Sequence, residues 1–230
     1  MKFLFFLLFV TLAGRQTVYS QMKPLTIYYM PDGKILDESK LDSVLRSWGP
    51  RAAIKKEAYG TDSVVIHLIK QTEAQMKAAI AERVQETNAM NALLDHQAPD
   101  FTLYDVSGKS YNLKAFRGKV VVLNFWFTTC PPCIAEMPNL NKIKAEYQNS
   151  AVVFLGLSFN KPEEIKEFLS RHAFNFTQLA ETKPIDKRYH ITGYPTTLVI
   201  DKTGTVRFIK MGGENVFDEL KTAIIKANKA

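Results

Sequence analysis

The stretch that decides the fold is VVVLNFW at Val120–Trp126, followed at Cys130-Pro131-Pro132-Cys133 by the only two cysteines of the chain. The first segment is an apolar run of the kind found in buried parallel strands. After the cysteines, apolar residues recur at helical spacing, at Ile134, Met137, Leu140, Ile143 and Tyr147. We therefore predict a central strand, then a CxxC motif, then a helix that starts at the two prolines.

The predicted geometry gives the two cysteines a chemical role. The start of a helix directs backbone N–H groups and the positive end of the helix dipole at Cys130, which favours thiolate over thiol. A lone CxxC cannot supply the four ligands of a structural zinc site, so we predict no zinc site. The pattern indicates thiol–disulfide chemistry, and copper(I) binding by two soft thiolates is an alternative.

The N-terminus has the three parts of a secretory signal peptide. Met1-Lys2 precedes an apolar block, Phe3–Ala13, and Val18 and Ser20 are the small residues before a cleavage site. We predict a signal peptide over residues 1–20, cleaved after Ser20, and a periplasmic or cell-envelope location. A membrane anchor is the alternative, but a block of about 11 residues is short against the roughly 20 that span a bilayer. In an exported protein, a disulfide between cysteines so close in sequence would add little to the stability of the fold. We therefore expect a catalytic pair.

Charge and composition exclude some classes of partner. The chain has 30 Lys and Arg against 23 Asp and Glu, a net charge of +7, and 46% hydrophobic residues. Removing residues 1–20 takes away Lys2 and Arg15 and leaves a charge of +5. The basic residues are scattered and do not alternate with aromatic residues, so we predict no nucleic-acid partner.

The pattern of strands and helices predicts two domains after the signal peptide. Strands at 25–30 and 63–70 with helices at 38–47 and 72–94 predict a small α+β domain over residues 21–95. Residues 96–230 contain a hairpin around 105–109, strands at 119–126, 151–158, 175–179, 196–201 and 205–211, and helices after the cysteines, at 162–171 and at 216–227. This alternation predicts an α/β fold, a mixed central sheet with helices on both faces.

Residues 96–230 carry an ordered set of motifs: Ala98-Pro99-Asp100-Phe101-Thr102-Leu103, Leu113 with Phe116, Gly118 and Lys119, LNFW at 123–126, the CPPC motif, Glu136 with Pro138, and Gly193-Tyr194-Pro195-Thr196-Thr197. In this order they resemble TlpA/ResA-like thiol–disulfide oxidoreductases of the thioredoxin superfamily, with a redoxin or AhpC/TSA-like domain. The resemblance implies the thioredoxin fold. It does not extend to residues 21–95.

The resemblance also implies roles for individual residues. Cys130 is the attacking thiol and the more exposed of the pair, and Cys133 is the resolving thiol. Pro195 matches a cis-proline opposite the CxxC. Tyr194 would present its backbone to an extended substrate, and Trp126 joins Tyr194 and Pro195 as a substrate-binding residue.

A carboxylate is expected to serve the two thiols. Cytosolic thioredoxins usually carry a buried Asp at the position of Asn124, which cannot exchange a proton. Glu136, three residues after Cys133, matches a carboxylate that TlpA/ResA-like proteins keep near the active site. We predict that it manages the proton of Cys133; a solvated helix glutamate is the alternative.

These features predict an enzyme that reduces disulfides in exported proteins, with apocytochrome c a candidate substrate by family analogy. We expect a monomer without cofactor, whose dithiol is restored by a membrane or periplasmic thiol reductant.

The residues around the cysteines leave alternatives open. Thr129 replaces the Trp that is common before the first Cys in this family, and Pro131 replaces a more variable residue inside the CxxC, so a disulfide oxidase or isomerase remains an alternative. Leu123 and Phe127 occupy the proline and threonine positions of a peroxiredoxin motif, which disfavours peroxide reduction. Residues 22–95 could instead be an interaction module.

Overall fold

The computed structural model describes residues 25–59, 63–148, 150–212 and 216–229. The predicted signal peptide, residues 1–20, lies outside this part of the chain. Contacts divide the chain into two units, Met1–Lys77 and Ala78–Ala230, and the division falls inside a helix at Glu73–Asn91. The boundary predicted at residues 95/96 stays a prediction. Within the described ranges, no helix is both long enough and apolar enough to cross a bilayer.

The first unit contains a four-stranded sheet of order β2-β1-β4-β3. Its elements are β1 (Leu25–Tyr29), β2 (Ile35–Leu36), α1 (Leu41–Trp48), β3 (Ala52–Tyr59) and β4 (Ser63–Lys70). The sequence predicts β1, α1 and β4 but not β2 or β3. The reason is local: β2 has two residues, and AAIKKEAY in β3 is rich in alanine and charge, which are depleted in strands. Antiparallel pairing with β4, from Ala52↔Lys70 to Tyr59↔Ser63, accounts for β3.

The second unit contains the five-stranded sheet that positions the cysteines, of order β11-β10-β7-β8-β9. The other α-helices and strands of the described residues are α2 (Glu73–Asn91), β5 (Thr102–Tyr104), β6 (Ser110–Asn112), β7 (Val120–Trp126), α3 (Pro131–Glu146), β8 (Val152–Ser158), α4 (Pro162–Leu169), β9 (Thr177–Leu179), α5 (Lys183–Arg188), β10 (Thr196–Ile200), β11 (Val206–Met211) and α6 (Val216–Lys229). Strands β7, β8 and β9 are parallel, and β10 and β11 are antiparallel additions. The predicted mixed sheet is confirmed, whereas α5 was not predicted.

Strand β7 lies at the centre of the sheet and is buried along its whole length. Its side chains alternate between two cores, as the period of a strand requires. Val120, Val122 and Trp126 lie in the core that also holds residues of α3, α4 and α6. Val121, Leu123 and Phe125 lie in the core on the other face, which includes Ile185 of α5. Helices therefore cover both faces, and Asn124 faces the same side as α3.

Trp126 is a core residue, which corrects its predicted role in substrate binding. Its side chain is 0% exposed, and its Nε1 donates to Gln178 Oε1 at 3.0 Å. Gln178 also crosses close over Gly156 of β8, where an added methyl group would lie 2.4 Å from Oε1. The ring of Trp126 packs against Phe168 and Phe174 at centroid distances of 5.0 and 5.4 Å. These contacts leave no surface of Trp126 for a substrate.

Candidate active site

Cys130 and Cys133 lie where β7 ends and α3 begins, and they form a disulfide. Cys130 is the N-cap residue of α3, and Pro131 and Pro132 occupy the first turn. The predicted strand–CxxC–helix arrangement is therefore confirmed. This position is at the carboxyl ends of parallel strands β7 and β8, where open α/β sheets place their sites.

The two prolines limit how the helix start can stabilise a thiolate at Cys130. A proline has no backbone N–H, so Pro131 and Pro132 remove two donors from the first turn. Among the described residues, Cys133 N–H is the one donor to Cys130 Sγ, at 3.3 Å. The next N–H, of Ile134, bonds to the carbonyl oxygen of Cys130 at 3.0 Å. In this disulfide form, backbone hydrogen bonding to Cys130 Sγ from the described residues is therefore restricted to one contact.

Exposure does not distinguish the two cysteines in this disulfide form. Each is 1% exposed, so the greater exposure expected for Cys130 is not found. Both sulfurs lie within the core cluster on the α3 side of the sheet, while Thr129, Pro131 and Pro132 are exposed around them. The difference between the thiols is instead positional, because Cys130 caps the helix and Cys133 lies inside it.

Glu136 is partly buried and hydrogen-bonded to the sheet. Asn124 Nδ2 donates to Glu136 Oε1 at 2.9 Å and lies 3.0 Å from Thr197 Oγ1. Burial raises the pKa of Glu136 to about 7, and the Asn124 hydrogen bond opposes this rise. Glu136 follows Cys133 by one helical turn, on the same side of α3. The carboxyl group can therefore bind or release a proton near neutral pH, one helical turn from Cys133.

The residues before β10 form the other wall of the site. Thr196 pairs with Phe125 in the antiparallel register of β10 and β7, which brings the segment 193–195 beside the end of β7. The Tyr194–Pro195 peptide bond is cis, as the resemblance implies. Gly193 O and Pro195 O accept bonds from Thr196 Oγ1 and Gly212 N. Within the described part of the chain, the N–H and C=O of Tyr194 have no hydrogen-bond partner, so they can pair with an extended segment.

The four histidines lie elsewhere. His96 and His172 contact backbone carbonyl oxygens, and His190 Nδ1 lies 2.8 Å from Glu86 Oε2. His67 stacks on Tyr29 in the first unit. In the described ranges, no three His, Cys, Asp or Glu side chains are grouped so that they could hold a metal ion.

Sequence reasoning missed two parts of the site. Thr197 was quoted only as part of a motif, and its contact with Asn124 follows from the β7–β10 register. Phe127 and Phe159 pack with Tyr194, at centroid distances of 5.3 and 5.6 Å. The signal that could have found them is that each aromatic residue directly follows a predicted strand.

Comparison with known proteins identifies the family. The family model described as "AhpC/TSA family" matches residues 94–209 of this chain. Thioredoxin-like protein YneN of Bacillus subtilis strain 168 is 36% identical over 120 residues, which cover 50% of this chain and 70% of the relative. Thiol-disulfide oxidoreductase ResA of Halalkalibacterium halodurans is 37% identical over 120 residues, covering 51% and 68%. The region matched by the family model, residues 94–209, contains the CPPC motif and the segment before β10.

Solved structures show the same fold. A protein from Chlorobium tepidum assigned as thiol:disulfide interchange protein DsbE superposes with a TM-score of 0.53 and 28% identity, over 57% of this chain and 94% of that one. The thioredoxin domain of a thiol-disulfide oxidoreductase from Bacteroides vulgatus has a TM-score of 0.52 at 24% identity, over 57% and 97%. The second likeness concerns the fold alone. The chain therefore belongs to the AhpC/TSA family and is a ResA-like thiol–disulfide oxidoreductase with the thioredoxin fold.

Proposed function

We propose that this oxidoreductase is exported and reduces disulfides in other exported proteins through a Cys130–Cys133 dithiol/disulfide cycle. The observation that carries the direction of electron flow is the start of α3. Because Pro131 and Pro132 have no N–H groups, one backbone donor from the described part of the chain contacts Cys130 Sγ. An oxidase depends on a strongly stabilised thiolate, which makes its disulfide easy to reduce. Limited stabilisation favours the disulfide product and therefore a reductant.

In the reducing half-cycle, the Cys130 thiolate attacks one sulfur of the substrate disulfide. The substrate S–S bond breaks, a Cys130–substrate mixed disulfide forms, and the first substrate thiolate leaves and takes up a proton. Cys133 then attacks Cys130 Sγ, which releases the second substrate thiolate and forms the Cys130–Cys133 disulfide. Two electrons pass from the enzyme to the substrate, and an external dithiol must restore the reduced enzyme.

Glu136 would serve the second step. Cys133 must lose its proton before it attacks, and a carboxylate with a pKa of about 7 is partly ionised at neutral pH. Asn124 holds the carboxyl group from the sheet side. We propose Glu136 as the proton acceptor for Cys133 and the backbone of Tyr194 as the substrate-pairing edge, with Pro195 keeping the Tyr194–Pro195 peptide bond cis.

Export and partners are proposed from the sequence. The signal-peptide pattern of residues 1–20 supports a periplasmic or cell-envelope location with cleavage after Ser20. The substrates would be exported cysteine-containing proteins, with apocytochrome c a candidate, and the electron source a membrane or periplasmic thiol reductant. The mature enzyme would act as a monomer, with residues 21–95 as a separate domain.

Turnover in both directions tests this function. The dithiol form should reduce the interchain disulfides of insulin repeatedly when dithiothreitol restores it, while oxidation of a reduced, unfolded protein should be slow. Cys130→Ser should abolish the insulin reaction. Fast oxidation of the reduced protein with negligible insulin reduction would show an oxidase instead.

A further inference from the structure

Three aromatic rings meet at the edge of the sheet where the active-site disulfide lies, and we call Phe127, Phe159 and Tyr194 the aromatic shelf. Phe127 and Phe159 stack at a centroid distance of 5.3 Å and an interplanar angle of 27°. Tyr194 meets Phe127 edge-on at 5.3 Å and Phe159 at 5.6 Å. The three residues follow β7, follow β8 and precede β10, so the shelf lies at the same edge of the sheet as Cys130.

The shelf is only partly covered by the rest of the protein. All three residues are partly exposed. Phe127 and Tyr194 pack on the core cluster that contains both cysteines, whereas Phe159 belongs to neither core of the sheet. A group of large apolar rings that stays accessible next to a reactive site marks a binding surface more often than a stability feature.

The shelf is held in place before any substrate arrives. Tyr194 Oη donates to Asp186 Oδ2 at 2.6 Å, and Thr182 Oγ1 donates to Asp186 Oδ1 at 2.8 Å. Asp186 is 2% exposed and Thr182 0%. These bonds hold the Tyr194 ring in one orientation, so less side-chain entropy is lost when a substrate binds.

A second set of bonds joins the segments that carry the two phenylalanines. Thr128 N–H donates to Asn160 Oδ1 at 3.0 Å, so the residues directly after Phe127 and Phe159 are linked. Ser158 Oγ, at the end of β8, also lies 3.0 Å from Asn160 Oδ1. The spacing of Phe127 and Phe159 is therefore set by polar contacts as well as by stacking.

A positive charge beside the shelf indicates which charge a bound segment would carry. Lys183 is exposed, and its Nζ lies 5.0 Å above the centroid of the Phe159 ring. A cation on the rim attracts an acidic side chain of a bound segment. The N–H and C=O of Tyr194, which have no hydrogen-bond partner among the described residues, already favour an extended backbone at this place.

We propose that the aromatic shelf is a specificity site for the substrate protein. It binds a large apolar or aromatic side chain next to the substrate cysteine, and Lys183 binds an acidic residue further along the same extended segment. This inference rests on the proposed reductase function and adds the substrate class. Phe127, Phe159 and Tyr194 act by positioning the cysteine, since none of them exchanges electrons.

Matched peptides test the shelf. Each peptide carries one cysteine in a mixed disulfide with thionitrobenzoate, and the neighbouring residue is Phe or Ser. Attack of Cys130 on the peptide sulfur releases the coloured thionitrobenzoate anion, and Cys133 then frees the peptide thiol. We expect kcat/KM to favour the Phe peptide about tenfold, the lower end of what burial of a large apolar side chain contributes.

Variants distinguish a loss of peptide preference caused by the shelf from a general loss of activity. Phe159→Ala should reduce the tenfold preference to near unity, and Phe159→Tyr should restore most of it. Tyr104→Ala, which removes an aromatic side chain that is 60% exposed on β5, should keep the wild-type preference. Lys183→Glu should reverse the preference for a peptide with Glu over one with Lys at the more distant position.

The outcomes distinguish the two proposals. Equal rates for the Phe and Ser peptides in the wild type, with both reduced, would overturn the shelf and leave the reductase function standing. An unchanged preference in Phe159→Ala would also overturn it. No release from either peptide would overturn the reductase function and the shelf together.

Discussion

Cys133→Ser should accumulate mixed disulfides through Cys130, and Cys130→Ser should accumulate none. The reason is the position of Cys130 as the N-cap of α3, where Cys133 N–H contacts its sulfur. Without a second thiol the Cys130–substrate disulfide is not resolved. Each substitution should reduce insulin turnover by on the order of a thousandfold or more, since the two thiols act as a unit.

Non-reducing electrophoresis and mass spectrometry of the trapped species measure this result. The trapped cysteine is assigned without ambiguity, because the chain has two cysteines and each single variant leaves one thiol. Equal trapping by both variants would contradict the assignment of Cys130 as the nucleophile. Trapping by Cys130→Ser alone would reverse the roles of the two cysteines.

Glu136→Gln should change both the pH dependence of the thiols and that of stability. The variant keeps the oxygen that accepts the bond from Asn124 but removes the ionisation near pH 7. Loss of a proton acceptor should lower reductase turnover by roughly a hundredfold, within the range for general bases. The alkylation profile of Cys133 should lose its limb near pH 7.

The sign of the stability effect follows from the raised pKa. Between pH 4.5 and about 7 the folded protein binds a proton at Glu136 that the unfolded chain has released. The free energy of unfolding of the wild type therefore falls as pH rises through this window, by about 3 kcal/mol from this one group. Glu136→Gln lacks this loss, so its stability relative to the wild type should increase between pH 4.5 and 8.

Urea denaturation at the two pH values measures the difference. Glu163→Gln is the matched control, because Glu163 is an exposed carboxylate in the first turn of α4. It should show no comparable change. Parallel stability curves for the wild type and Glu136→Gln, with superimposable alkylation profiles, would make Glu136 a solvated helix residue.

The elements that local patterns encode were predicted well. The apolar run of β7, the prolines of α3 and the amphipathic spacing after them each depend on neighbouring residues alone. By contrast, α5 has six residues, too few for a helical period to stand out, yet it supplies Asp186. Strand β3 depends on its pairing with β4 rather than on its own composition.

The features of the site also fall into those that local sequence predicts and those that depend on the packing of distant segments. The CxxC motif, the cis-proline and the place of Glu136 on the helix follow from spacing and resemblance. The direction in which Glu136 faces follows from the register that brings Asn124 and Thr197 together. Trp126 shows the opposite case, because its place in a strong motif suggested substrate contact, whereas Gln178, Phe168 and Phe174 enclose it.

The reduction potential of the Cys130–Cys133 couple tests the central claim most directly. Equilibration with dithiothreitol buffers, followed by alkylation and mass spectrometry, gives its value at pH 7. Pro131 and Pro132 restrict the donors to Cys130 Sγ, and the Glu136 carboxylate disfavours a second negative charge nearby, so the disulfide form is favoured. We predict a potential of about −250 mV or lower, near that of thioredoxin, and a value near about −120 mV, that of a strong oxidant, would contradict a reductase.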